Sequence, residues 1–274
     1  MNPYKLVVID IDGTLLIRAD EISIENKAAL AELKKRGVAV SLCSGRAIQA
    51  ARSVINQLDI DGYHIFFDGA LVTDPAGRDH VYIKTIEDGI VRRAVQFAHE
   101  NGVIMDLFTA TGYYAERESW VTDIRRDYFK IIPTLIDFSR LPAGEKVVKG
   151  TLVVRSAAEK AGADKFRQTF AKELHLSLTK TPAYADVDFI NVIAAGVSKR
   201  TALDALTKRM NVPLEQVMAI GDGPNDVPIL SAVGMGVAMG NASPDVKAIA
   251  RYVTEDVDHN GVAEAIRKFI LEPG

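Results

Sequence analysis

Hydrophobic residues in the first part of the chain fall into short continuous runs, separated by stretches with helical spacing. The runs over residues 5–9, 38–42 and 65–67 are apolar on both faces, as strands buried in a parallel sheet are. Ser23 stands at the N-cap position of the stretch after the first run, and Gly37 stands just beyond its end. The order strand, helix, strand, helix, strand predicts an α/β fold built on a doubly wound, mainly parallel sheet.

The pattern changes after residue 70 and becomes that of strands joined by tight turns. Residues 71–73 and 81–83 flank the turn-forming Asp74-Pro75-Ala76-Gly77, which predicts a hairpin. Further strands are predicted over 103–108, 113–116, 151–154, 176–180 and 186–190, and helices over 86–101, 119–129 and 159–174. The region from 85 to 190 is therefore expected to be an α+β unit with a largely antiparallel sheet.

The α/β alternation resumes towards the C-terminus. Ser198 is expected to cap a helix, and strands are expected over 217–220 and 236–239. Ser243-Pro244 marks another helix start, and residues 261–271 are expected to form an amphipathic closing helix. The sequence thus predicts a core domain made of residues 1–84 and 191–274, interrupted by an inserted α+β domain of residues 85–190.

Composition and charge narrow the function classes. The chain has 274 residues, with 33 Lys and Arg against 36 Asp and Glu, so it lacks the basic charge that nucleic-acid binding requires. Its single cysteine, Cys43, cannot form an internal disulfide and fits a reducing compartment. The five histidines are too scattered for a zinc site. No apolar run approaches the roughly 20 residues of a membrane span, so we expect a soluble, cytoplasmic protein without a membrane partner, of open oligomeric state.

Polar side chains gather where the predicted parallel strands end, which is where open α/β sheets bind ligands. Asp10-Ile11-Asp12-Gly13-Thr14 follows the first strand and places two carboxylates on one side of an extended backbone. Gly221-Asp222-Gly223-Pro224-Asn225-Asp226 follows the strand over 217–220, and its hard oxygen ligands suit Mg²⁺. An ordinary turn explains the Gly, Pro and Asn residues of that segment, but it does not explain two acids at a strand end.

Two weaker signals lie at predicted helix starts. Ser44-Gly45-Arg46 follows the second strand, where a hydroxyl and backbone N–H groups can bind an anion, although a simple helix cap has the same sequence. Lys199 lies in the first turn of its helix, where the helix dipole disfavours a cation. A negative partner is therefore expected near Lys199, and a solvated surface lysine is the alternative.

In their order and spacing, these four segments resemble the four sequence motifs of the haloacid dehalogenase (HAD) superfamily. Gly240-Asn241-Ala242 and Asn260-Gly261-Val262-Ala263 also resemble C-terminal signatures of its Cof-type, class IIB phosphatases. The resemblance implies a Rossmann-like core with an inserted α+β cap of the C2 type. It further implies a Mg²⁺-dependent phosphatase that hydrolyses small phosphorylated metabolites, such as sugar phosphates or phosphorylated cofactors, through an aspartyl-phosphate intermediate.

The resemblance also implies a role for each motif residue. Asp10 would be the nucleophile, and Asp12 would protonate the leaving oxygen and then take a proton from water. Mg²⁺ would be held by Asp10, the backbone carbonyl of Asp12 and Asp222. Thr14 and Asp226 would support these groups, Asp226 by orienting Lys199 or a metal-bound water. The phosphoryl oxygens would be bound by the backbone amides of Ile11 and Gly45. They would also be bound by the side chains of Ser44, Lys199 and Asn225.

Three positions depart from the family pattern. Asp68 stands where relatives usually carry Asn, Asn191 stands where an acid is common, and Arg200 replaces a common Gly. The cap is expected to close over the core and to set substrate preference. Five cap residues could line that side, although packing within the cap or a place at a surface tip is at least an equal alternative for each: Tyr113, Tyr114, Arg117, Trp120 and Tyr184.

Two alternatives to a phosphatase stay open at this point. A phosphomutase would use the same aspartyl-phosphate but form an isomeric sugar phosphate instead of free phosphate. A non-catalytic phosphometabolite-binding protein would bind such ligands without turnover.

Overall fold

The chain forms two compact units in a computed structural model that describes residues 3–16, 21–141, 145–181 and 184–272. The first unit comprises Met1–Tyr82 and Ser198–Gly274, and the second comprises Ile83–Val197. The second unit thus lies between the two segments of the first, and its last strand ends at Ala194. Among the described residues, no helix is both long and apolar enough to cross a membrane.

The first unit is built on a five-stranded sheet in which every pairing is parallel. The strands of this unit are β1 (Leu6–Ile9), β2 (Ala39–Leu42), β3 (His64–Phe66), β4 (Leu71–Thr73), β5 (His80–Ile83), β12 (Val217–Gly221), β13 (Met235–Ala238) and β14 (Tyr252–Val253). Its helices are α1 (Ile24–Lys35), α2 (Ile48–Leu58), α6 (Lys199–Met210), α7 (Val227–Leu230), α8 (Pro244–Ile249) and α9 (Gly261–Ile266). The order in the main sheet is β14-β13-β12-β1-β2, and β3, β4 and β5 form a separate small sheet.

The core of the first unit forms because its strands are apolar on both faces. Leu6 and Val8 of β1 are fully buried in one cluster with Leu203 and Leu206 of α6. Each such side chain contributes about 1.5–3 kcal/mol when it leaves water. This packing places the first turn of α6, which contains Lys199, near the end of β1.

The second unit is an α+β unit with a six-stranded sheet in the order β10-β11-β9-β6-β7-β8. Its strands are β6 (Ile104–Phe108), β7 (Tyr113–Ala115), β8 (Thr134–Leu135), β9 (Lys149–Val154), β10 (Leu174–Thr181) and β11 (Tyr184–Ala194). Its helices are α3 (Asp88–Glu100), α4 (Trp120–Asp127) and α5 (Ala157–Phe170). Four of the pairings are antiparallel and the β7–β8 pairing is parallel, so the prediction of a largely antiparallel sheet is confirmed.

Several predicted boundaries were wrong for identifiable reasons. The helix predicted from residue 159 begins at Ala157, because Ser156 is its N-cap and Glu159 closes a capping box with it. The predicted closing helix ends as an α-helix at Ile266 and continues over Arg267–Leu271 as a π-helix. The short strands β8 and β14 were missed, because two residues are too few to show a periodicity.

His64 is a buried polar group in the small sheet of the first unit. Its ring is fully buried, and its Nδ1 accepts a hydrogen bond of 3.2 Å from the backbone N–H of Leu42. Burial lowers the pKa of His64 to about 4, since a charged ring would be desolvated there. The histidine is therefore neutral in the folded protein at pH values where the unfolded chain protonates it.

This pKa shift predicts a loss of stability in mild acid. Between about pH 6.5 and pH 4 the unfolded state binds a proton that the folded state does not, so the free energy of unfolding decreases as the pH falls. From pH 7 to pH 5 the loss due to His64 should be about 2 kcal/mol. Urea unfolding at both pH values should show it in the wild type but not in His64→Asn, which keeps an acceptor for Leu42. The exposed His80, changed to Asn, is the control and should keep the wild-type pH dependence; equal slopes for wild type and His64→Asn would contradict the assignment.

Candidate active site

The carboxyl ends of β1 and β12 lie side by side at the point where the strand order of the sheet reverses. From β1 the chain proceeds to β2 on one side, and from β12 it proceeds to β13 and β14 on the other. Crevices at such a switch point are where open α/β sheets bind ligands. Asp10 follows β1, and its N–H donates to the carbonyl oxygen of Ile220 at 3.0 Å. Asp222 directly follows β12, so the two acids emerge at the same crevice.

Lys199 is the buried cation of this crevice. Its Nζ lies 2.5 Å from Asp10 Oδ1 and 2.6 Å from Asp226 Oδ1, and its side chain is fully buried. Burial opposes the positive charge, but the two carboxylates outweigh it and raise the pKa of Lys199 well above its ordinary value. The negative partner expected for this residue is thus present, and the alternative of a solvated surface lysine is wrong.

The acids around Lys199 carry more charge than one ammonium can neutralise. Burial raises the pKa of Asp10 well above its ordinary value, Lys199 lowers it, and the charges of Asp226 and Asp222 raise it further. Burial also raises the pKa of Asp222 to about 6, although a hydrogen bond of 2.8 Å from Thr14 Oγ1 to its Oδ1 favours the ionised form. The site therefore favours an additional positive charge close to these carboxylates.

The Asp226 side chain accepts hydrogen bonds from the backbone of the segment after β12 and from Lys199. Its Oδ2 accepts the backbone N–H groups of Asp222 at 3.2 Å and Gly223 at 3.0 Å, while its Oδ1 accepts from Lys199. A Cβ on Gly221 would lie 2.5 Å from the carboxyl carbon of Asp226. The bond to Lys199 matches one of the two roles predicted for Asp226, that of orienting the lysine.

Three acidic side chains could hold a metal ion here. One carboxylate oxygen from each of Asp10, Asp222 and Asp226 lies within 4.8 Å of the others. Carboxylate oxygens are hard ligands, which Mg²⁺ prefers. These three residues therefore fit a magnesium ion. The side chain of Asp12 is not part of this group, and the ligand predicted from Asp12 is its backbone carbonyl, which stays a prediction.

Ser44, Gly45 and Asn225 lie around a fourth acid, the buried Asp68. Ser44 is buried, and its carbonyl oxygen accepts the N–H of Asp68 at 3.1 Å. Asn225 Nδ2 donates to Asp68 Oδ1 at 3.1 Å, and a Cβ on Gly45 would lie 2.8 Å from that same oxygen. The predicted phosphate-binding residues Ser44, Gly45 and Asn225 thus share one neighbour that sequence reasoning did not assign to the site.

The position of Asp68 depends on an unusual backbone. Phe67 and Asp68 both have left-handed backbone angles, with φ of 52° and 55°, which cost of order 1–3 kcal/mol each for such residues. At Gly69 a Cβ would lie 2.2 Å from the carbonyl oxygen of Ser198, so only glycine permits this approach of α6. The sequence offered a signal for Asp68, since it is another acid just beyond a strand end.

Asp12 is placed differently from the other acids. Its side chain is 57% exposed and forms an ion pair with Arg46, whose Nη2 lies 2.6 Å from Asp12 Oδ1. A second contact joins Arg46 Nε to Asp12 Oδ2 at 2.9 Å. Sequence reasoning noted Arg46 in its motif but gave it no role, because nothing in the sequence pairs residues 12 and 46.

Asn241 forms hydrogen bonds that hold the loop of the first motif, residues 10–14, in place. Its Nδ2 donates to the carbonyl oxygen of Gly13 at 2.8 Å, and its Oδ1 accepts the N–H of Val257 at 3.0 Å. Gly13 has a φ of 82°, and a Cβ there would lie 2.5 Å from Asp222 Oδ2. This contact gives a physical reason for the Gly240-Asn241-Ala242 signature, which the sequence supplied only as a resemblance.

The remaining predicted residues lie in different surroundings. Ile11 is fully buried directly after Asp10, and its predicted phosphate contact through the backbone amide stays a prediction. Cys43 is buried, which raises its pKa far above the usual thiol range and agrees with a core role.

Two of the positions that depart from the family pattern make contacts of their own. Arg200 makes an exposed ion pair with Asp204, with Nε 2.9 Å from Oδ1. Asn191 Nδ2 donates to Thr179 Oγ1 at 3.0 Å in the second unit.

The five candidate residues of the second unit are largely engaged within that unit. Tyr113 and Tyr114 are buried, and Tyr113 stacks on Phe108 with ring centroids 4.7 Å apart. The guanidinium of Arg155 lies 4.3 Å from the ring centroid of Trp120. Tyr184 makes an edge contact with Tyr128, and Arg117 is exposed. For four of the five, packing within the unit is therefore observed, and a contact with substrate stays a prediction.

The buried ion pairs predict a large effect of removing the lysine. Lys199→Met would leave the carboxylates of Asp10 and Asp226 buried without their cation, which typically costs 3–5 kcal/mol at neutral pH. Burial raises the pKa of Asp10 and the variant lacks the lysine that lowers it, so Asp10 would take up a proton more readily and the loss should shrink as the pH falls. Urea unfolding at about pH 8 and pH 5 measures both effects. Lys34→Met removes an exposed ion pair with Asp59 and should change little; equal losses in the two variants would contradict the buried role.

A family model and curated relatives match most of this chain. A family model described as haloacid dehalogenase-like hydrolase matches residues 7–266. Phosphatase YwpJ of Bacillus subtilis (strain 168) is 30% identical over 97% of this chain and 100% of its own length. In the same organism, 5-amino-6-(5-phospho-D-ribitylamino)uracil phosphatase YcsE is 29% identical, over 97% of this chain and 96% of its own.

A solved structure agrees as well. The structure of a HAD subclass IIB sugar phosphatase matches with a TM-score of 0.79 and 25% identity, covering 97% of this chain and 98% of that one. The comparisons confirm the predicted fold class, the Cof-type resemblance and the prediction of a phosphatase. The chain belongs to the haloacid dehalogenase-like hydrolases.

Proposed function

We propose that this protein is a Mg²⁺-dependent phosphomonoester hydrolase that acts through an aspartyl-phosphate on Asp10. The observation that carries the proposal is the buried Lys199 between Asp10 and Asp226, beside Asp222 at the switch point of the sheet. This arrangement would supply a carboxylate nucleophile, a fixed cation and an acidic metal site at one end of the sheet.

The requirement for a divalent cation follows from charge. In the part of the chain that the structure describes, Asp10, Asp68, Asp222 and Asp226 lie around one ammonium, that of Lys199. A phosphate dianion entering this crevice would be repelled unless more positive charge were present. Asp10, Asp222 and the backbone carbonyl of Asp12 would hold the Mg²⁺, with Asp226 close by. When bound, the ion would neutralise charge on the phosphoryl oxygens and lower the pKa values of the carboxylates that bind it.

The first chemical step uses Asp10 and Asp12. An oxygen of the Asp10 carboxylate attacks phosphorus in line, the bond from phosphorus to the ester oxygen breaks, and Asp12 gives its proton to that oxygen. Lys199 uses two of its three N–H donors for Asp10 and Asp226, and the third can donate to a phosphoryl oxygen. Ser44, Asn225 and the amides of Ile11 and Gly45 complete the phosphoryl contacts.

The second step returns Asp10 to its starting state. Asp12, now ionised, takes a proton from a water molecule that attacks the phosphorus of the aspartyl-phosphate. The bond between phosphorus and the Asp10 oxygen breaks, and inorganic phosphate leaves. Thr14 and Asp226 keep Asp222 and Lys199 in place throughout, through the contacts of 2.8 Å and 2.6 Å described above.

Small phosphorylated metabolites are the proposed substrates. The named relatives act on a phosphorylated ribitylaminouracil and on a sugar phosphate, which supports phosphorylated cofactor precursors and sugar phosphates as the two classes to test. The second unit would act as the cap that selects between them, in a protein that works in the cytoplasm. Phosphate release from a panel containing both classes, with Mg²⁺, identifies the preferred class.

Replacement of the nucleophile is the direct test of the proposed chemistry. Asp10→Asn should lower Mg²⁺-dependent phosphate release by at least about a thousandfold, because an amide oxygen cannot form the phosphoenzyme. Asp61→Asn, at an exposed position, is the matched control and should keep wild-type turnover. The measurement is the steady-state rate of phosphate release on the preferred substrate.

Three results would contradict the proposal. Turnover retained by Asp10→Asn would exclude Asp10 as the nucleophile. An isomeric sugar phosphate formed without free phosphate would identify a phosphomutase. Tight ligand binding without turnover on any substrate would identify a binding protein.

The metal site makes a second prediction that does not depend on turnover. Mg²⁺ at about 100 times its Kd should stabilise the folded wild type by about 2.7 kcal/mol and raise the Tm by about 5 °C or more. Asp222→Asn should lose most of this increase, since it removes a carboxylate ligand. Asp12→Asn is the control that should keep the increase, because its proposed ligand is the backbone carbonyl. An undiminished Mg²⁺ effect in Asp222→Asn would place the ion elsewhere.

A further inference from the structure

We propose that Arg46 is a positioning residue that fixes the orientation of the Asp12 carboxylate for both of its proton transfers. The inference rests on the proposed function, in which Asp12 serves the leaving oxygen and then the water. Arg46 acts through Asp12 and has no contact with the reacting atoms in this proposal.

The contact between the two residues is a two-point fork. Arg46 Nη2 lies 2.6 Å from Asp12 Oδ1, and Arg46 Nε lies 2.9 Å from Asp12 Oδ2. Two parallel N–H donors on a planar guanidinium fix both the position and the plane of a carboxylate. A single ammonium could hold one oxygen but would leave the carboxylate plane unspecified.

The Arg46 side chain is restrained by other contacts, and it in turn restrains the Asp12 carboxylate. The Arg46 side chain is only 8% exposed, whereas that of Asp12 is 57% exposed. Arg46 Nη1 donates to the carbonyl oxygen of Ala50 at 3.1 Å. The backbone N–H of Arg46 donates to Ser44 Oγ at 3.1 Å, and its carbonyl oxygen accepts the N–H of Phe67 at 3.1 Å. An anchored arm therefore sets the direction of a carboxylate that would otherwise move in solvent.

The anchor of Arg46 is also part of the proposed phosphate site. Ser44, two residues earlier, bonds to the Arg46 backbone and is a proposed phosphoryl ligand. The loop proposed to bind the phosphoryl group thus also determines the orientation of the Asp12 carboxylate, the proposed general acid and base. Since proton transfer requires the donor within hydrogen-bond reach and in line, loss of this orientation should slow both proton-dependent steps.

The experiment uses the full chain with Mg²⁺ and compares two substrates that differ in the leaving group. An alkyl phosphate, such as a sugar phosphate, needs a proton on its leaving oxygen, whereas p-nitrophenyl phosphate releases a stable phenolate without one. Arg46→Ala should lower kcat for the alkyl phosphate by at least about tenfold, within the hundredfold to ten-thousandfold that acid–base catalysis contributes. KM should change little. Arg46→Lys should recover only part of the loss, because it lacks the fork.

Pre-steady-state kinetics with p-nitrophenyl phosphate separates the two steps. In Arg46→Ala the first step should stay fast and give a burst of nitrophenolate, followed by slow breakdown of the aspartyl-phosphate. Asp12→Asn should behave in the same way. In the double variant the breakdown rate should equal that of Asp12→Asn alone, since Arg46 has nothing left to position.

Two results with the Arg46 variants would contradict the proposed role. Unchanged or increased kcat in Arg46→Ala would overturn the proposal, the increase by showing that Arg46 restrains Asp12 instead of aligning it. Additive losses in the double variant would also overturn it, because Arg46 would then act on substrate independently. A preserved Mg²⁺-induced increase in Tm shows that Arg46→Ala is folded. If wild type itself shows no Asp10-dependent phosphate release, the proposed function fails and the role of Arg46 falls with it.

Discussion

The buried ammonium of Lys199 is the interaction on which the rest of the site depends. It joins the acid at the end of β1 to the acid beyond β12, with contacts of 2.5 Å and 2.6 Å. Neither acid could be buried in this way alone, because an unpaired carboxylate in such surroundings would take up a proton. Burial raises the pKa of Asp10, and the contact with Lys199 opposes that rise and favours the ionised carboxylate that the proposed nucleophile requires.

The surplus of acids over Lys199 supports the proposal that the site binds a metal ion. Burial and then the neighbouring carboxylates raise the pKa of both Asp10 and Asp222, so a bound cation would stabilise their ionised forms. Structural ion pairs usually balance, so an unbalanced buried cluster at a switch point favours a functional reading over a purely structural one. The Thr14 hydrogen bond to Asp222 supports the same reading, because it stabilises the ionised form that a cation needs.

Local sequence was sufficient for the parts of the site that are set by strand ends. Asp10 and Asp222 could be brought together from sequence because parallel strands end at one edge, and Lys199 could be linked to an anion by its place in a first helical turn. Arg46 could not be placed, because its contact with Asp12 joins separate loops and depends on side-chain direction. Asp68 also follows a strand end, but its left-handed backbone and its contact with Asn225 could not be read from the sequence. The same limit applies to the second unit, where the burial of Tyr113 depends on which face of β7 is covered.

The interruption of the first unit has a physical consequence for how its site assembles. β1 lies between β2 and β12 in the sheet, and its pairing with β12 joins residues as far apart in the chain as Leu6 and Val217. Until β12 arrives, β1 is an edge strand with unpaired backbone groups, and Asp10 lacks Lys199, which is 189 residues away in sequence. Contacts of such separation form late, because the loop between them must be closed first. The β1–β12 pairing and the Asp10–Lys199 ion pair both need the second segment, so Asp10 has its buried partner only after the two segments of the unit have come together.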